Sequence, residues 1–287
     1  MDAEILVIVV TFNGMQWIER CIGSVFSSSV PADMIAIDNG STDGTPEWLE
    51  KKGVEVIRSS SNIGFGAANN IGMKRAVEDG YSYVYLLNQD AWVAPDCFGK
   101  LIKGFNSGRF GILSPVQYDA GGKDYDRQFA KRCGRFLKKD KSEAVVEVPF
   151  VMAAHWMISR GCLMQTGGFS PAFKQYGEDD NYLDRARFFG WRCGVVPDAS
   201  AVHDRADRPA SPEKRMFFKC NGSVARISDP APGVFFRLIG EPIRLAAIGC
   251  RYLSALPFKF LRQLAGRYPE LLRYRRQSRR PGAFLLH

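Results

Sequence analysis

Tyr83-Val84-Tyr85-Leu86-Leu87-Asn88-Gln89-Asp90 is an apolar, β-forming run that ends abruptly in a carboxylate, with Ala91-Trp92-Val93-Ala94-Pro95-Asp96 after it. Tyr83 to Leu87 predicts a buried strand, which puts Asp90 at a strand exit. In an open parallel sheet, ligands bind outside the carboxyl ends of the strands, and an acid there can hold a divalent cation on a ligand. The plainer alternative is that Asp90 starts a turn or caps the helix after Pro95. The surrounding chain decides between the two.

Upstream, Ile5 to Val10 is continuously apolar and β-branched, as in a parallel strand covered on both faces. Met15 to Phe26 then reads as a helix. A second strand, Met34 to Ile37, ends in Asp38-Asn39-Gly40-Ser41-Thr42-Asp43-Gly44-Thr45, and Pro46-Glu47-Trp48-Leu49 signals another helix. A third, Val54 to Ile57, leads to Asn62-Ile63-Gly64-Phe65-Gly66-Ala67-Ala68-Asn69-Asn70 and a helix through about Glu78. Four strands separated by helices predict right-handed crossovers and a mainly parallel sheet whose polar exits share one edge. On that edge Asp38 can accept a hydrogen bond from the ring N–H of uracil or thymine. The small residues Gly64, Gly66, Ala67 and Ala68 let a nucleoside or diphosphate approach the backbone.

Residues 106–148 read as an irregular connection, with turn signals at Asp119-Ala120-Gly121-Gly122 and a solvated basic cluster from Lys131 to Lys141. Such long connections often carry substrate specificity. Pro149 to Ile158 is a second apolar, strand-like run, followed by Gly167-Gly168-Phe169 and a helix that opens Gly177-Glu178-Asp179-Asp180-Asn181. The helix dipole favours acids in a first turn. Three consecutive acids point in different directions, however, so one can project into a cleft as a general base. Arg192 to Pro197 reads as a short strand leading to His203, one of three histidines with His155 and His287.

At 287 residues, 46% hydrophobic and 24% charged, the chain belongs with globular and not disordered proteins, as one α/β domain with additions or two small domains. Residues 205–287 hold 17 Lys and Arg against 5 Asp and Glu, so the net charge of +9 comes from this C-terminal part. From Gly233 onward Arg237, Arg244 and Arg251 recur at seven-residue spacing among Leu238, Ile239 and Leu245. This is an amphipathic helical pattern interrupted at Pro242 and Pro257, with a basic terminus from Arg273 to Arg280. Its partner is an anionic membrane surface, the catalytic domain or a second subunit. No nucleic-acid-binding motif accompanies the arginines. Seven scattered cysteines without a C-x-x-C pair suggest free thiols in a reducing compartment. The first apolar run lacks the basic start and length of a signal peptide, and no uncharged run reaches the ~18 residues that span a bilayer. The expectation is a cytoplasmic protein, resting peripherally on the inner face of the membrane.

The ordered blocks Val10-Thr11-Phe12-Asn13, Ile37 to Thr45, Asn62 to Asn69, Leu87 to Asp90, Gly167-Gly168-Phe169, Gly177 to Asp180 and His203 resemble the inverting glycosyltransferases of family two. The rhamnosyltransferase-like members that build bacterial surface polysaccharide are the nearest match. The resemblance covers about residues 5 to 205. It implies a GT-A fold, Rossmann-like with a mainly parallel central sheet and helices on both faces, over residues 1–210. Residues 1–105 would form the nucleotide half and 106–210 the acceptor half, with residues 211–287 as a basic helical extension. It implies that Thr11, Asn13 and Asp38 hold the nucleoside and that Asn62, Gly64 and Asn69 line the nucleotide pocket. Asn88 stands at the first acid of the family's D-x-D motif. Asp90 stands at the last, which with His203 would bind Mg2+ or Mn2+ on a dTDP-sugar or UDP-sugar. Asp179 matches the catalytic base, and Asn181 replaces the final acid of the Glu-Asp-x-Asp pattern. Trp156, Glu178 and Asp180 are the acceptor-side candidates, for a saccharide or lipid-linked saccharide. The alternatives are a non-catalytic nucleotide-sugar-binding assembly subunit and a sugar nucleotidyltransferase, although the chain lacks the Gly-rich, basic loop such an enzyme carries after its first strand.

Overall fold

Strand β1 (Ile5–Thr11) is apolar without alternation because both of its faces are covered. Ile5, Val7 and Val9 enter one core while Leu6 and Ile8 enter the other. The computed structural model describes residues 4–139, 143–174, 176–205 and 211–285. In chain order β1 is followed by α1 (Met15–Phe26), β2 (Asp33–Asp38), α2 (Thr45–Lys51), β3 (Glu55–Arg58), α3 (Phe65–Glu78), β4 (Tyr83–Asn88), β5 (Ala91–Val93) and α4 (Cys97–Gly104). Then come β6 (Phe110–Tyr118), α5 (Arg127–Lys139), β7 (Val146–Glu147), β8 (His155–Ser159), α6 (Arg160–Thr166), α7 (Glu178–Phe188) and β9 (Arg192–His203). Three helices close the chain: α8 (Pro212–Ser228), α9 (Val234–Tyr252) and α10 (Leu256–Gln277).

The sheet order is β3-β2-β1-β4-β8-β6-β9-β5, with β7 beside β9. The expected parallel arrangement is realised from β3 to β4. Beyond it the sheet is mixed, since β8 runs antiparallel to both β4 and β6. Helices α1, α2 and α4 cover one face, and α3, α5, α6 and α7 the other. Strand order reverses at β1, flanked by β2 and β4, which is where open α/β sheets form a crevice at their carboxyl ends.

The connection over residues 106–148 is ordered where the sequence suggested a loop. β6 is hidden by Gly111, Pro115 and Gln117. A Cβ on Gly111 would lie 2.6 Å from the Cys162 Sγ, Pro115 sits at a register shift against β9, and the Gln117 Nε2 donates to the Ser114 Oγ at 3.1 Å. The basic cluster lies largely on α5, whose Phe129, Cys133 and Leu137 are buried and whose first turn is capped by the Asp126 carboxylate. Residues 140–142 of that cluster fall outside the described residues. Conversely, residues 149–154 are coil and not strand, buried from Phe150 onward. Their carbonyls are taken by side chains: Phe150 O by the Cys133 thiol, Val151 O by the Trp156 indole and Met152 O by Gln117.

The C-terminal helices share a third core that includes Phe173, Val224, Leu245, Leu264 and Leu271. Pro242 does not interrupt α9. The Leu238 carbonyl that its missing N–H would leave unpaired instead accepts from the Tyr268 hydroxyl at 3.3 Å. Pro257 does mark a break, at the start of α10. The tail then returns to the sheet domain. Gly282 N donates to Gln165 O at 3.1 Å, Gly168 N to Ala283 O at 2.9 Å, and Leu285 joins the central core. The expected boundary at residue 210 lies outside the described residues.

Candidate active site

Three clusters of the expected residues gather on the carboxyl edge of the sheet. The first knits the exits of β1 and β2. Asp38 is 1% exposed, and four donors fill its carboxylate. The Thr11 hydroxyl (2.8 Å) and Ser41 hydroxyl (2.5 Å) reach Oδ1, and the Gly40 and Ser41 amides reach Oδ2 at 3.1 and 2.9 Å. These bonds use the roughly four lone-pair directions of the carboxylate and tie Asp38 and the buried Thr11 into the loop from within. Asn13 holds it from outside, its Oδ1 accepting from Thr42 N at 2.8 Å. Gln89 ties β1 to β4 by accepting from Phe12 N at 2.8 Å and donating to Phe12 O at 3.1 Å.

Across the crevice, the Asn62 Oδ1 accepts from Gly64 N at 3.0 Å. Gly64 has φ +88° and lies where a Cβ would meet Lys174 O at 2.7 Å, so only glycine fits. Asn69 is 1% exposed, with its amide on Phe65 O inside α3, and so faces away from the crevice. Its neighbour Asn70, which sequence reasoning passed over, grips the backbone of Phe169 in both directions, accepting at 2.6 Å and donating at 2.9 Å.

In the second cluster, the turn between β4 and β5 sets Asp90 beside His203 at the end of β9. The Asp90 Oδ1 lies 3.5 Å from the His203 Nε2, Asn88 Nδ2 is 3.5 Å from the same nitrogen, and Asp204 N donates to Asp90 O at 2.8 Å. Burial works against a charge on Asp90. The hydrogen bond to His203, the charge of that ring, a backbone N–H and Arg205 together hold the carboxyl below the usual carboxylate range. The buried His203 Nδ1 has no hydrogen-bond partner among the described residues. His155, edge-on to His203, is structural. Its Nε2 donates to Val202 O at 3.0 Å, its Nδ1 accepts from the Tyr85 hydroxyl at 2.9 Å, and burial lowers its pKa to about 3.

The third cluster opens α7. Burial, then repulsion from Asp180 and Glu178, pushes the Asp179 carboxyl well above its ordinary range, although the side chain remains half-buried and in reach of water. Asp180 N donates to the Asp179 Oδ1 at 2.9 Å. The Asp180 carboxyl is also raised by burial, against the opposing pull of Arg132, Arg187 and Arg226. Arg132 on α5 stands 3.9 Å from it. Burial and Asp180 bring Glu178 to about 7, against the pull of a backbone N–H, and its Oε2 has no partner among the described residues. Asn181 is fully buried and committed to the Ser228 hydroxyl and the Arg185 Nε, each at 3.2 Å. Arg185 in turn holds the carbonyls of Thr166 and Gly168. Trp156 is 0% exposed beneath this cluster, its indole on Val151 O. A fully buried ring offers no surface to an acceptor, which corrects that expectation.

The fold that carries this edge is similar to that of known proteins. The protein is 25% identical over 235 residues to the N-acetylglucosaminyl-diphospho-decaprenol L-rhamnosyltransferase of Mycobacterium tuberculosis, covering 70% of this chain and 76% of that one. The fold superposes on S. aureus TarS 1-349 in complex with UDP-GlcNAc with a TM-score of 0.58 at 16% identity, covering 96% of this chain and 90% of that chain. It superposes on GalNAc-T7 with UDP, GalNAc and Mn2+ with a TM-score of 0.58 at 16% identity, covering 79% of this chain but spanning only half of that one. The family model for glycosyl transferase family 2 matches residues 6–167, from β1 through the Asp90 turn to the first glycine of Gly167-Gly168-Phe169. With more than half of its length matched in this way, the chain belongs to glycosyl transferase family 2.

Proposed function

We propose that the protein transfers a sugar, rhamnose by likeness to its mycobacterial relative, from a dTDP- or UDP-sugar to a hydroxyl of a lipid-linked saccharide, with inversion at the anomeric carbon. One observation carries the reading: α7 presents a water-reachable Asp179 whose carboxyl is raised toward neutrality, on the site edge that also holds Asp90 and His203. A general base works best with a pKa near the operating pH. In the reaction, Asp179 takes the proton of the acceptor hydroxyl. The freed oxygen bonds to the anomeric carbon as the opposite C–O bond to phosphate breaks, and the nucleoside diphosphate leaves with that electron pair.

The residues fit a divalent cation. The Asp90 carboxylate and the His203 Nε2, 3.5 Å apart, are one oxygen and one nitrogen donor that could share an ion between them. Mg2+ and Mn2+ are commonly held by one or two protein ligands with phosphates and water completing the shell. Asp90 and His203 would hold the ion, which neutralises charge on the leaving diphosphate. The Asp38 loop and the Asn62–Gly64 turn shape the nucleotide side of the crevice.

The test is release of nucleoside diphosphate from dTDP-rhamnose and UDP-sugars with Mn2+ and a polyprenyl-diphospho-sugar acceptor. Asp179→Asn should lower turnover by ~10²–10⁴-fold while donor binding persists. An unchanged rate removes Asp179 from the role. Pyrophosphate as product would make the protein a nucleotidyltransferase, and donor binding without turnover an assembly subunit.

A further inference from the structure

Helix α9 is inside out. Phe236, Ile239 and Ile243 are 79%, 51% and 65% exposed on its outer face, which continues through the exposed Ala247 and Cys250. The charges along its first half, Arg237, Glu241 and Arg244, point inward. The Arg237 Nη1 pairs with the Asp229 Oδ2 at 2.6 Å. Glu241, 6% exposed, is held by the Arg226 Nε at 2.5 Å and the Arg244 Nε at 2.8 Å. The Glu241 carboxyl stays below its usual range despite burial because Arg226 and Arg244 hydrogen-bond to it. A helix on the surface of a globular domain has the opposite arrangement. The seven-residue spacing of Arg237 and Arg244 thus marks an inward face. Arg275 and Arg279 grip the Pro230 carbonyl and so tie the basic terminus to the loop between α8 and α9.

The apolar face continues round the turn into α10, with Leu253 95% exposed and Leu256 and Phe258 41% and 46% exposed. Cations rim this end. Arg251, Lys259 and Arg262 are exposed, and the Lys219 Nζ lies 5.1 Å from the Tyr252 ring centroid. The only acid between Gly233 and Pro269 is Glu241, which is buried. An apolar centre with a purely cationic rim suits an anionic occupant. A second copy of the same patch would set cations beside cations, with no acid to pair them.

We propose that α9 and the α9–α10 turn rest on an anionic bilayer surface. Phe236, Ile239, Ile243 and Leu253 lie at the boundary of headgroups and acyl chains, and Arg251, Lys259 and Arg262 meet lipid phosphates. No helix among the described residues is long and apolar enough to cross a membrane, and an interfacial helix has no need to be. The attachment reaches the site through α8, which holds α9 by the Arg226–Glu241 pair and accepts from Asn181 of α7 at Ser228. The proposal is independent of the chemistry assigned to Asp179, and its test does not use activity.

Cys250 is the one exposed thiol among seven free cysteines, so an environment-sensitive fluorophore can be placed on it in the full chain. With vesicles of equimolar phosphatidylglycerol and phosphatidylcholine, the protein should co-sediment and the emission should shift to the blue. The Phe236→Ser/Ile243→Ser double variant, altered only at exposed positions, should keep its melting temperature and lose roughly a hundredfold in partition coefficient. Arg251→Gln/Lys259→Gln/Arg262→Gln should lose on the order of a hundredfold as well. Absence of co-sedimentation at low salt overturns the proposal, as does undiminished binding by the double variant. A dimer on gel filtration that Phe236→Ser/Ile243→Ser splits also overturns it, and assigns the face to a second copy.

Discussion

Replacing Glu178 by glutamine should stabilise the protein at neutral and alkaline pH and leave it nearly unchanged in acid. The carboxyl opens α7 almost fully buried, its Oε2 without a partner among the described residues, and its pKa rises from 4.5 to about 7 through burial and the Asp180 charge. An acid whose folded pKa is raised binds its proton more tightly in the native state. Its contribution is therefore intact below pH 4.5 and is lost as the pH rises through 7. At about 1.4 kcal/mol per pH unit, the interval from 4.5 to 7 corresponds to at most about 3.5 kcal/mol of native stability lost by pH 8, an upper bound because the site can relax. Glutamine keeps the size and cannot ionise. Urea unfolding of both proteins from pH 4 to pH 8 should give curves that coincide in acid and diverge across this interval, with Glu178→Gln the more stable. Taking the difference cancels groups that Glu178 does not perturb, such as the buried His155, while Asp179, which Glu178 raises, is relieved by the substitution and adds to the difference in the same direction. A difference that stays flat with pH, or a wild type that is the more stable at pH 8, would refute the assignment of an uncompensated buried charge.

Asp90→Ala should abolish the gain in donor affinity that Mn2+ confers in calorimetry and leave metal-free binding in place, since the Asp38 loop and the Asn62–Gly64 turn are untouched. Equal donor binding with and without Mn2+ in the wild type would remove Asp90 and His203 from that role. Gly167→Ala should destabilise severely, because φ is +79° and the new Cβ would lie 1.9 Å from Ala283 O. A melting temperature within a degree or so of wild type would show that the C-terminal tail does not rest there in solution.

The N-terminal strands were legible because burial on both sheet faces writes itself into sequence as uninterrupted apolar runs, and β1, β2 and β4 carry them. Burial without pairing leaves the same mark, which is why residues 149–154 read as strand although side chains take their carbonyls. The reverse error hid β6, whose Gly111 and Pro115 answer to Cys162 and to a register shift that no local pattern announces. At the site, Asp90 and His203 were legible as polar residues at strand exits. The hydrogen bonding of Asp38 was not, because the Thr11 hydroxyl at the end of β1 meets the Gly40 and Ser41 donors of the Asp38 loop only in the folded chain. The clamps formed by Asn70 and Arg185 on the Gly167-Gly168-Phe169 segment are likewise tertiary, linking residues far apart in sequence.

Helix α9 shows a further ambiguity, one of direction and not of detection. Seven-residue spacing of Arg237, Arg244 and Arg251 defines a helical face, but periodicity carries no information about which way that face turns. The usual inference, charge outward, rests on the cost of burying a charge without a partner. That cost is removed when a buried acid is supplied. Glu241, lying between Arg237 and Arg244 in sequence, meets Arg226 from α8, and Asp229 meets Arg237. The signal available was therefore the acid and not the arginines: one glutamate in a long cationic stretch, four residues from one arginine and three from the next, makes an inward ion-pair cluster the arrangement that leaves the fewest charges unmatched. Once Arg237 and Arg244 turn inward, Phe236, Ile239 and Ile243 can only turn out.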